Sequence, residues 1–564
     1  MSLQFITGNS GNGKTKYLFN RIVKEAKANP RDNYLVIVPE QFTMQTQRQL
    51  VDLSENKAIM NIDVLSFKRL AYRVFDELGI TNLTVLEETG KNLVLRKLAA
   101  QEADKLGVIG RNLNRIGYIS EVKSLLSELV QYNISPEELG RYIASGRLSD
   151  TLSDKLKDVL VLYEAFEKFM QDKYITAEEI LNVLSNVAEE SAILRNSVIA
   201  FDEFTGFTPI QNQLIKKLFV ISKKIYVTLT IDCREDIFKS RGMQELFDMP
   251  KRTVKSLTEM AAFYGIEVEE PIILDKNYRL AENEELSFME QQFFRKRRCS
   301  FKKVPKHIHI DCLRDPKQEL TKIARRINEL VRNENLRYRD IAIVTGDVNI
   351  YAGYVREIFD KYNIPYFIDA TQEILFHPFI EFIRSIPDIA AQNFSADAVF
   401  RFLRCGFSEL LDSEIDVLEN YVLACGVRGK SAWDKKWVRL PKHKAGYDLE
   451  LLNQSREYIM ELLKPVYQVF SDKKSTVKDY VLAIYKLIVL LDIPDKLAKK
   501  EQALLDAGDQ TASKEYGQIY KIVMQLFEKY VAVLGDECMD AEEFTQILDA
   551  GLDAEDVAVI PPGY

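Results

Sequence analysis

Three short apolar runs open the chain, at residues 3–7, 34–39 and 62–67, and each is followed by apolar positions at helical spacing, over 16–23, 41–50 and 68–78. Continuous apolar runs of this length mark strands buried on both faces, and the 3.6-residue spacing marks helices. Strand and helix in alternation predict a parallel sheet with crossover helices. From about residue 83 to 196 the strand pattern gives way to amphipathic helices, for example 119–132 and 154–171, with Ser135-Pro136-Glu137-Glu138 as a capped helix start. The strand pattern resumes at 197–203 and 224–230, so the helical block reads as an insertion.

A second α/β set follows. Strands are predicted at 307–313, 340–344 and 365–369, with helices at 318–331 and 351–362 between them; from 377 to 556 the pattern is again helical. The expected organisation is a first sheet domain of residues 1–82 and 197–279 with an insertion at 83–196, then a second of residues 280–376, resuming near 557–564, with an insertion at 377–556. The second sheet is too short to close, so the chain is expected to be a fragment of a longer protein.

The chemistry concentrates where the first strand ends. Gly8-Asn9-Ser10-Gly11-Asn12-Gly13-Lys14-Thr15 lies between a strand and a helix, the setting a phosphate-binding loop requires. Glycines let successive backbone N–H groups curl around phosphate oxygens, and the helix N-terminus adds a favourable dipole. Gly8, Ser10, Gly11, Asn12, Gly13, Lys14 and Thr15 are the candidate nucleotide-binding residues, with Lys14 reaching the β- and γ-phosphates of ATP and the Thr15 hydroxyl a ligand for Mg²⁺. The bland alternative is a flexible amino-terminal turn. The strand at 197–203 ends in Asp202-Glu203, the Walker B pattern: Asp202 is the candidate second Mg²⁺ ligand and Glu203 the candidate for polarising a water.

Two basic stretches leave alternatives open. Residues 293–303 combine six basic residues with three aromatics, which suits phosphate contact or a solvated linker equally. Residues 428–439 carry both tryptophans among basic residues; they suit a stacked single strand, but anchoring of a loop to the helical core is the preferred reading.

Composition narrows the classes. A net charge of −8 means that no global basic field advertises nucleic acid, so any such surface is local. The six cysteines are scattered without a C-x-x-C pair, against a disulfide framework or thiolate metal site in this chain. His307 and His309 alternate along an expected strand and read as structural. No apolar run reaches membrane-spanning length, and the amino terminus enters the first strand directly, which points to the cytoplasm.

Two α/β units with helical insertions and a phosphate loop in the first resemble the superfamily 1 helicase plan. Residues 38–43 fall where motif Ia does, 64–71 resemble the stretch that follows it, Asp202-Glu203 resembles motif II, and Asn277-Tyr278-Arg279 resembles motif IV. The chain is more similar still to the AddB (RexB) family, through residues 38–43, 202–209, 338–343, 362–369, His377-Pro378 and 560–562. The resemblance implies two RecA-like domains, the γ-phosphate as the target of Arg279, and an AddA-type motor protein as partner in a heterodimer. It also implies action on double-stranded DNA ends, scanning of single-stranded DNA for a recombination hot spot, and a nuclease domain with a four-cysteine 4Fe-4S cluster outside this chain. The stretch 229–237 lacks the glutamine of motif III, which puts coupled translocation in doubt, while Glu203 keeps hydrolysis open. An autonomous ATP-driven DNA translocase is the alternative, and a small-molecule kinase is disfavoured by the second sheet region and the two helical blocks.

Overall fold

Every rung between β1 (Ser2–Gly8) and β7 (Lys224–Thr230) is parallel, from Ser2 opposite Lys224 to Gly8 opposite Thr230. The computed structural model describes residues 1–81, 85–108, 110, 118–146, 148–171, 174–293, 299–368, 372–441, 447–472, 474–553 and 556–557. The remaining strands of this region are β2 (Tyr34–Ile37), β3 (Ile62–Leu65), a separate short pair β4 (Val85–Leu86) and β5 (Ile175–Thr176), then β6 (Val198–Phe201), β8 (Glu267–Val268) and β9 (Ile272–Leu274). The large sheet has the order β3-β2-β6-β7-β1-β8, with β9 also paired to β1, and all its pairs are parallel.

Alternation along the strands supplies two faces. Tyr34, Val36, Val198, Ala200 and Tyr226 pack with Leu18, Phe19 and Ile22 of α1 (Lys14–Ala28) and Leu50 of α2 (Thr43–Leu53). Leu35, Ile37, Ile199, Phe201 and Val227 pack with Leu70 and Val74 of α3 (Phe67–Leu78) and with Leu214 and Leu218 of the helix Pro209–Ile221. Burial on both faces is why these strands read as unbroken apolar runs. Local signals set the helix starts: Ser66 Oγ accepts from Arg69 N–H at 3.3 Å, and Thr208 and Gln211 form a capping box ahead of Pro209.

The chain divides into two compact units, the first of residues 1–86, 125–142 and 169–311, the second of residues 87–124, 143–168 and 312–564. The second is mostly helical. Its main core gathers Phe379, Phe382, Phe402, Trp433, Tyr480 and Tyr530. Arg384 bridges Asp549 at 2.6 Å and Glu381 at 3.2 Å, fastening the helix Pro378–Ala391 to the helix Ala541–Asp553. Among the described residues, no helix is long and apolar enough to cross a membrane.

The strands expected at 307–313, 340–344 and 365–369 do not form. Among the described residues these segments carry no strand assignment, and Asp369 lies outside them. The intervening helices, Pro316–Asn333 and Val348–Lys361, do form and pack through Leu320, Ala324, Ile327, Ile358 and Phe359. They bury Ile364, but Ile310 and Val344 remain 92% and 93% exposed. A strand exists only as part of a ladder, and among the described residues these runs form none.

His377 caps the helix Pro378–Ala391, its Nδ1 accepting from Phe379 N–H at 3.1 Å, while its buried Nε2 has no partner among the described residues. Burial pushes this imidazole down to about 4. The unfolded chain then binds the extra proton between pH 6.5 and about 4, so stability is full above pH 6.5 and falls as pH drops through that window, by about 3 kcal/mol if the whole shift is realised. Urea unfolding of wild type and His377→Asn, which keeps a capping side chain, is expected to show this part of the acid loss in the wild type alone.

Candidate nucleotide-binding site

The loop between β1 and α1 is shaped by two glycines in the left-handed region, Gly11 at φ 88° and Gly13 at φ 80°. Gly13 stands at the N-cap of α1 and no side chain caps that end, so the first N–H groups of the helix face the loop's interior. At Gly11 a Cβ would sit 2.8 Å from Arg279 Cβ and from Asn277 Oδ1, because the segment Asn277–Leu280 lies directly against the loop. That segment is fastened by Tyr278 N–H to Gly11 O at 3.0 Å, by Asn277 Nδ2 to Ser10 O at 3.0 Å, and by Arg279 Nη1 to Ser10 Oγ at 3.4 Å.

Asp202 follows β6 and is 1% exposed. Its Oδ1 accepts from Thr228 and, at 3.4 Å, from the Thr15 hydroxyl. Its Oδ2 is buried with no partner among the described residues. Desolvation raises the Asp202 pKa, with the Thr228 hydrogen bond opposing and the Glu203 charge reinforcing the shift. Glu203 has φ 63°, a strained conformation for this residue, and its Oε1 accepts from Thr15 at 3.3 Å. Lys14 Nζ donates to Asn9 O at 3.1 Å. Burial lowers its pKa, opposed by Glu203 and Asp202 and reinforced by Arg279. The structure thus gathers Lys14, Thr15, Asp202, Glu203 and Arg279 around one glycine loop. A buried carboxylate oxygen without a donor, beside a threonine hydroxyl, is a donor set that fits a hard divalent cation, and the glycine loop is a cradle that a Cβ would fill.

Asn9 and Asn12 hold the loop in ways the residue types did not announce. Asn9 Oδ1 accepts from Cys233 N–H at 3.0 Å and its Nδ2 donates to Glu290 at 2.7 Å. Asn12 Nδ2 donates to Leu274 O at 2.6 Å, binding the loop to the end of β9. Asn12 therefore turns toward the sheet edge, and its backbone is what it can offer a phosphate. Asn9 was legible only as a member of the motif.

The basic stretches resolve differently. Residues 294–298 lie outside the described residues, and of the exposed Lys302 and Lys303 the second pairs with Glu284 at 2.5 Å. Trp433 and Trp437 are 0% and 7% exposed, so they anchor the helical core and are not free to stack on bases.

Residues 5–290 match the family described as "ADDB, N-terminal". Over its whole length the chain is 38% identical to the B subunit of the ATP-dependent helicase/deoxyribonuclease of Lachnoclostridium phytofermentans, of which it covers 50%. It is 33% identical to the protein of the same description from Caldanaerobacter subterraneus and 31% to that from Clostridium novyi, covering 49% of each. The chain spans about half the length of these curated relatives.

Contact between Gly11 and the segment Asn277–Leu280 makes a direct prediction. Gly11→Ala combines a left-handed backbone with a Cβ at 2.8 Å from Arg279, whereas Gly79→Ala has the same kind of backbone, at φ 68°, and nothing within 4 Å. Thermal or urea unfolding is expected to show a cost of about 1 kcal/mol for Gly79→Ala and about 1–3 kcal/mol more for Gly11→Ala.

Proposed function

We propose a function for this chain from one premise: it belongs to the ADDB N-terminal family. The chain is the nucleotide- and DNA-binding portion of the AddB-type component of an AddAB-type ATP-dependent helicase/deoxyribonuclease, which processes DNA double-strand ends for recombinational repair in the cytoplasm. On this reading it pairs with an AddA-type motor protein, and it scans the displaced single strand for a hot-spot sequence. The parallel-sheet region is the first RecA-like domain. The paired helices Pro316–Asn333 and Val348–Lys361 belong to a second. The nuclease and its iron–sulfur cluster belong to other parts of the AddB-type polypeptide.

The observation that carries the nucleotide site is Asp202 Oδ2, unpartnered among the described residues and buried beside the Thr15 hydroxyl at the mouth of a glycine loop. Backbone N–H groups of residues 11–15 cradle the phosphates, and Lys14 leaves Asn9 O to neutralise the β- and γ-phosphates. Thr15 and Asp202 would hold Mg²⁺, which would supply neutralisation of phosphate charge when bound. Glu203 accepts the hydrogen bond that orients a water, and Arg279, already beside Ser10, neutralises the terminal phosphate. The segment following β7 holds Asp232, Cys233 and Arg234 where motif III of a working motor carries glutamine. This favours ATP as a binding and switching ligand over an autonomous translocase.

Titration with a fluorescent ATP analogue and Mg²⁺ is expected to show at least a tenfold affinity loss, about 1.4 kcal/mol, for Lys14→Ala. Equal affinity in both proteins would remove this site. DNA-stimulated ATP turnover by the isolated chain, abolished by Glu203→Gln, would instead favour the translocase.

A further inference from the structure

The strap that carries both tryptophans is held from beneath by interior side chains, although the Trp433 indole N–H itself has no partner among the described residues. Asn453, itself 5% exposed, accepts from Trp437 N–H and donates to Trp437 O, both at 2.9 Å. Buried Arg456 donates to Trp433 O at 2.9 Å, the Trp437 indole donates to Ala432 O at 3.0 Å, and Tyr421 OH donates to Arg439 O at 2.7 Å. The two indoles pack edge to face with centroids 5.3 Å apart. The backbone of residues 433–439 is therefore fixed by interior side chains, and it lies in no sheet.

What this scaffold presents outward is charge. Arg428, Lys435, Lys436 and Arg439 are exposed, with Val438 at 79% exposure among them. Nearby Lys430 is taken by Asp434 at 2.6 Å, but among the described residues none of the four exposed cations forms an ion pair. In a chain of net charge −8, Lys435, Lys436 and Arg439 stand on a backbone fixed from the interior, with Arg428 shortly before it. A flexible loop would lose conformational entropy on meeting a polyanion; this strap has already lost it in folding.

We propose that the strap of residues 428–439 is a docking surface for single-stranded DNA, with Arg428, Lys435, Lys436 and Arg439 on phosphates and Val438 against the face of a base. The proposal rests on the DNA-binding reading above and places part of that contact in the second unit. The tryptophans act as positioning residues, holding the cations in place without touching the strand. Such a contact carries no base sequence, because phosphate contacts position and do not specify.

The test uses the full chain and a fluorescent oligothymidylate, titrated between low and physiological salt. In the variant carrying Arg428→Gln, Lys435→Gln, Lys436→Gln and Arg439→Gln, affinity at low salt is expected to fall at least tenfold. The slope of log affinity against log salt should flatten by about 2–3, since each lost single-strand phosphate contact removes about 0.7. Lys435→Gln with Lys436→Gln alone should give about half of that change. Unchanged tryptophan emission verifies that the strap's anchors are intact. Wild-type affinity and slope in the fourfold variant would overturn the strap while leaving the DNA-binding reading intact. Failure of the wild type to bind the oligonucleotide at all would remove both. Polyglutamate bound as tightly as the oligonucleotide, and lost in the same variant, would assign the surface to an acidic protein and overturn the proposal.

Discussion

Phe201 pairs with Val227 and Gly8 with Thr230 in the ladder β6-β7-β1, so three strand ends leave the sheet along one edge. Everything polar in the site depends on that register. Asp202 stands one residue beyond the last rung of β6, opposite Thr228, and the two side chains meet in a hydrogen bond. On its other side Asp202 N–H donates to Ile37 O at 3.1 Å, extending the ladder toward β2. A slip of one residue in β6 would turn Asp202 to the opposite face of the sheet and put Phe201 or Glu203 in its place opposite Thr228. The crevice outside the carboxyl ends of parallel strands is the general ligand position in such sheets, and here the register decides which residues border it.

The first sheet was legible because its strands are buried on both faces and its sequence is therefore written in one alphabet. The run 224–230 reads as the strand that forms, and the runs at 34–39, 62–67 and 197–203 err only at their ends. The run 307–313 alternates polar and apolar residues and, among the described residues, forms no ladder. Hydrophobicity reports that a segment is suited to burial; it says nothing of whether a partner backbone is at hand, and Ile310 and Val344 show the difference. Residues 428–439 posed the opposite ambiguity. Their interleaved basic and aromatic positions fit both readings, and what separates the two is whether an interior residue satisfies the backbone. Asn453 does so, and it lies 16 residues beyond Trp437.

The residues of the candidate site were legible by type, and their placement was not. Lys14, Thr15, Asp202 and Glu203 stood out as candidates because each residue type would have a task at a phosphate. Asn9 and Asn12 have no such signature, yet they tie the loop to Cys233, Glu290 and Leu274. Their role depends on long-range topology: the ends of β7 and β9 and the helix Glu284–Gln292 are brought to the loop only by folding. Arg279 shows both sides. Its resemblance to a motif marked it, whereas its contact with Ser10 depends on Gly11 leaving room.

Charge at the site is held under tension, and in the proposed site that tension would favour a paired ligand. Desolvation disfavours the charged forms of both Lys14 and Asp202, and Glu203 sits in a left-handed conformation that costs about 1 kcal/mol or more. A phosphate chain alone would relieve Lys14 and Arg279 but press negative charge on Asp202 and Glu203. A divalent cation alone would relieve the two acids but repel Lys14 and Arg279. Only the two together relieve both sides, because the cation's excess charge lies toward the acids and the phosphate's toward the bases. On the proposed reading, binding of metal and nucleotide would be reciprocally coupled, each raising the affinity of the other by the same factor. Such coupling would originate in the burial of Asp202, which the ladder register enforces.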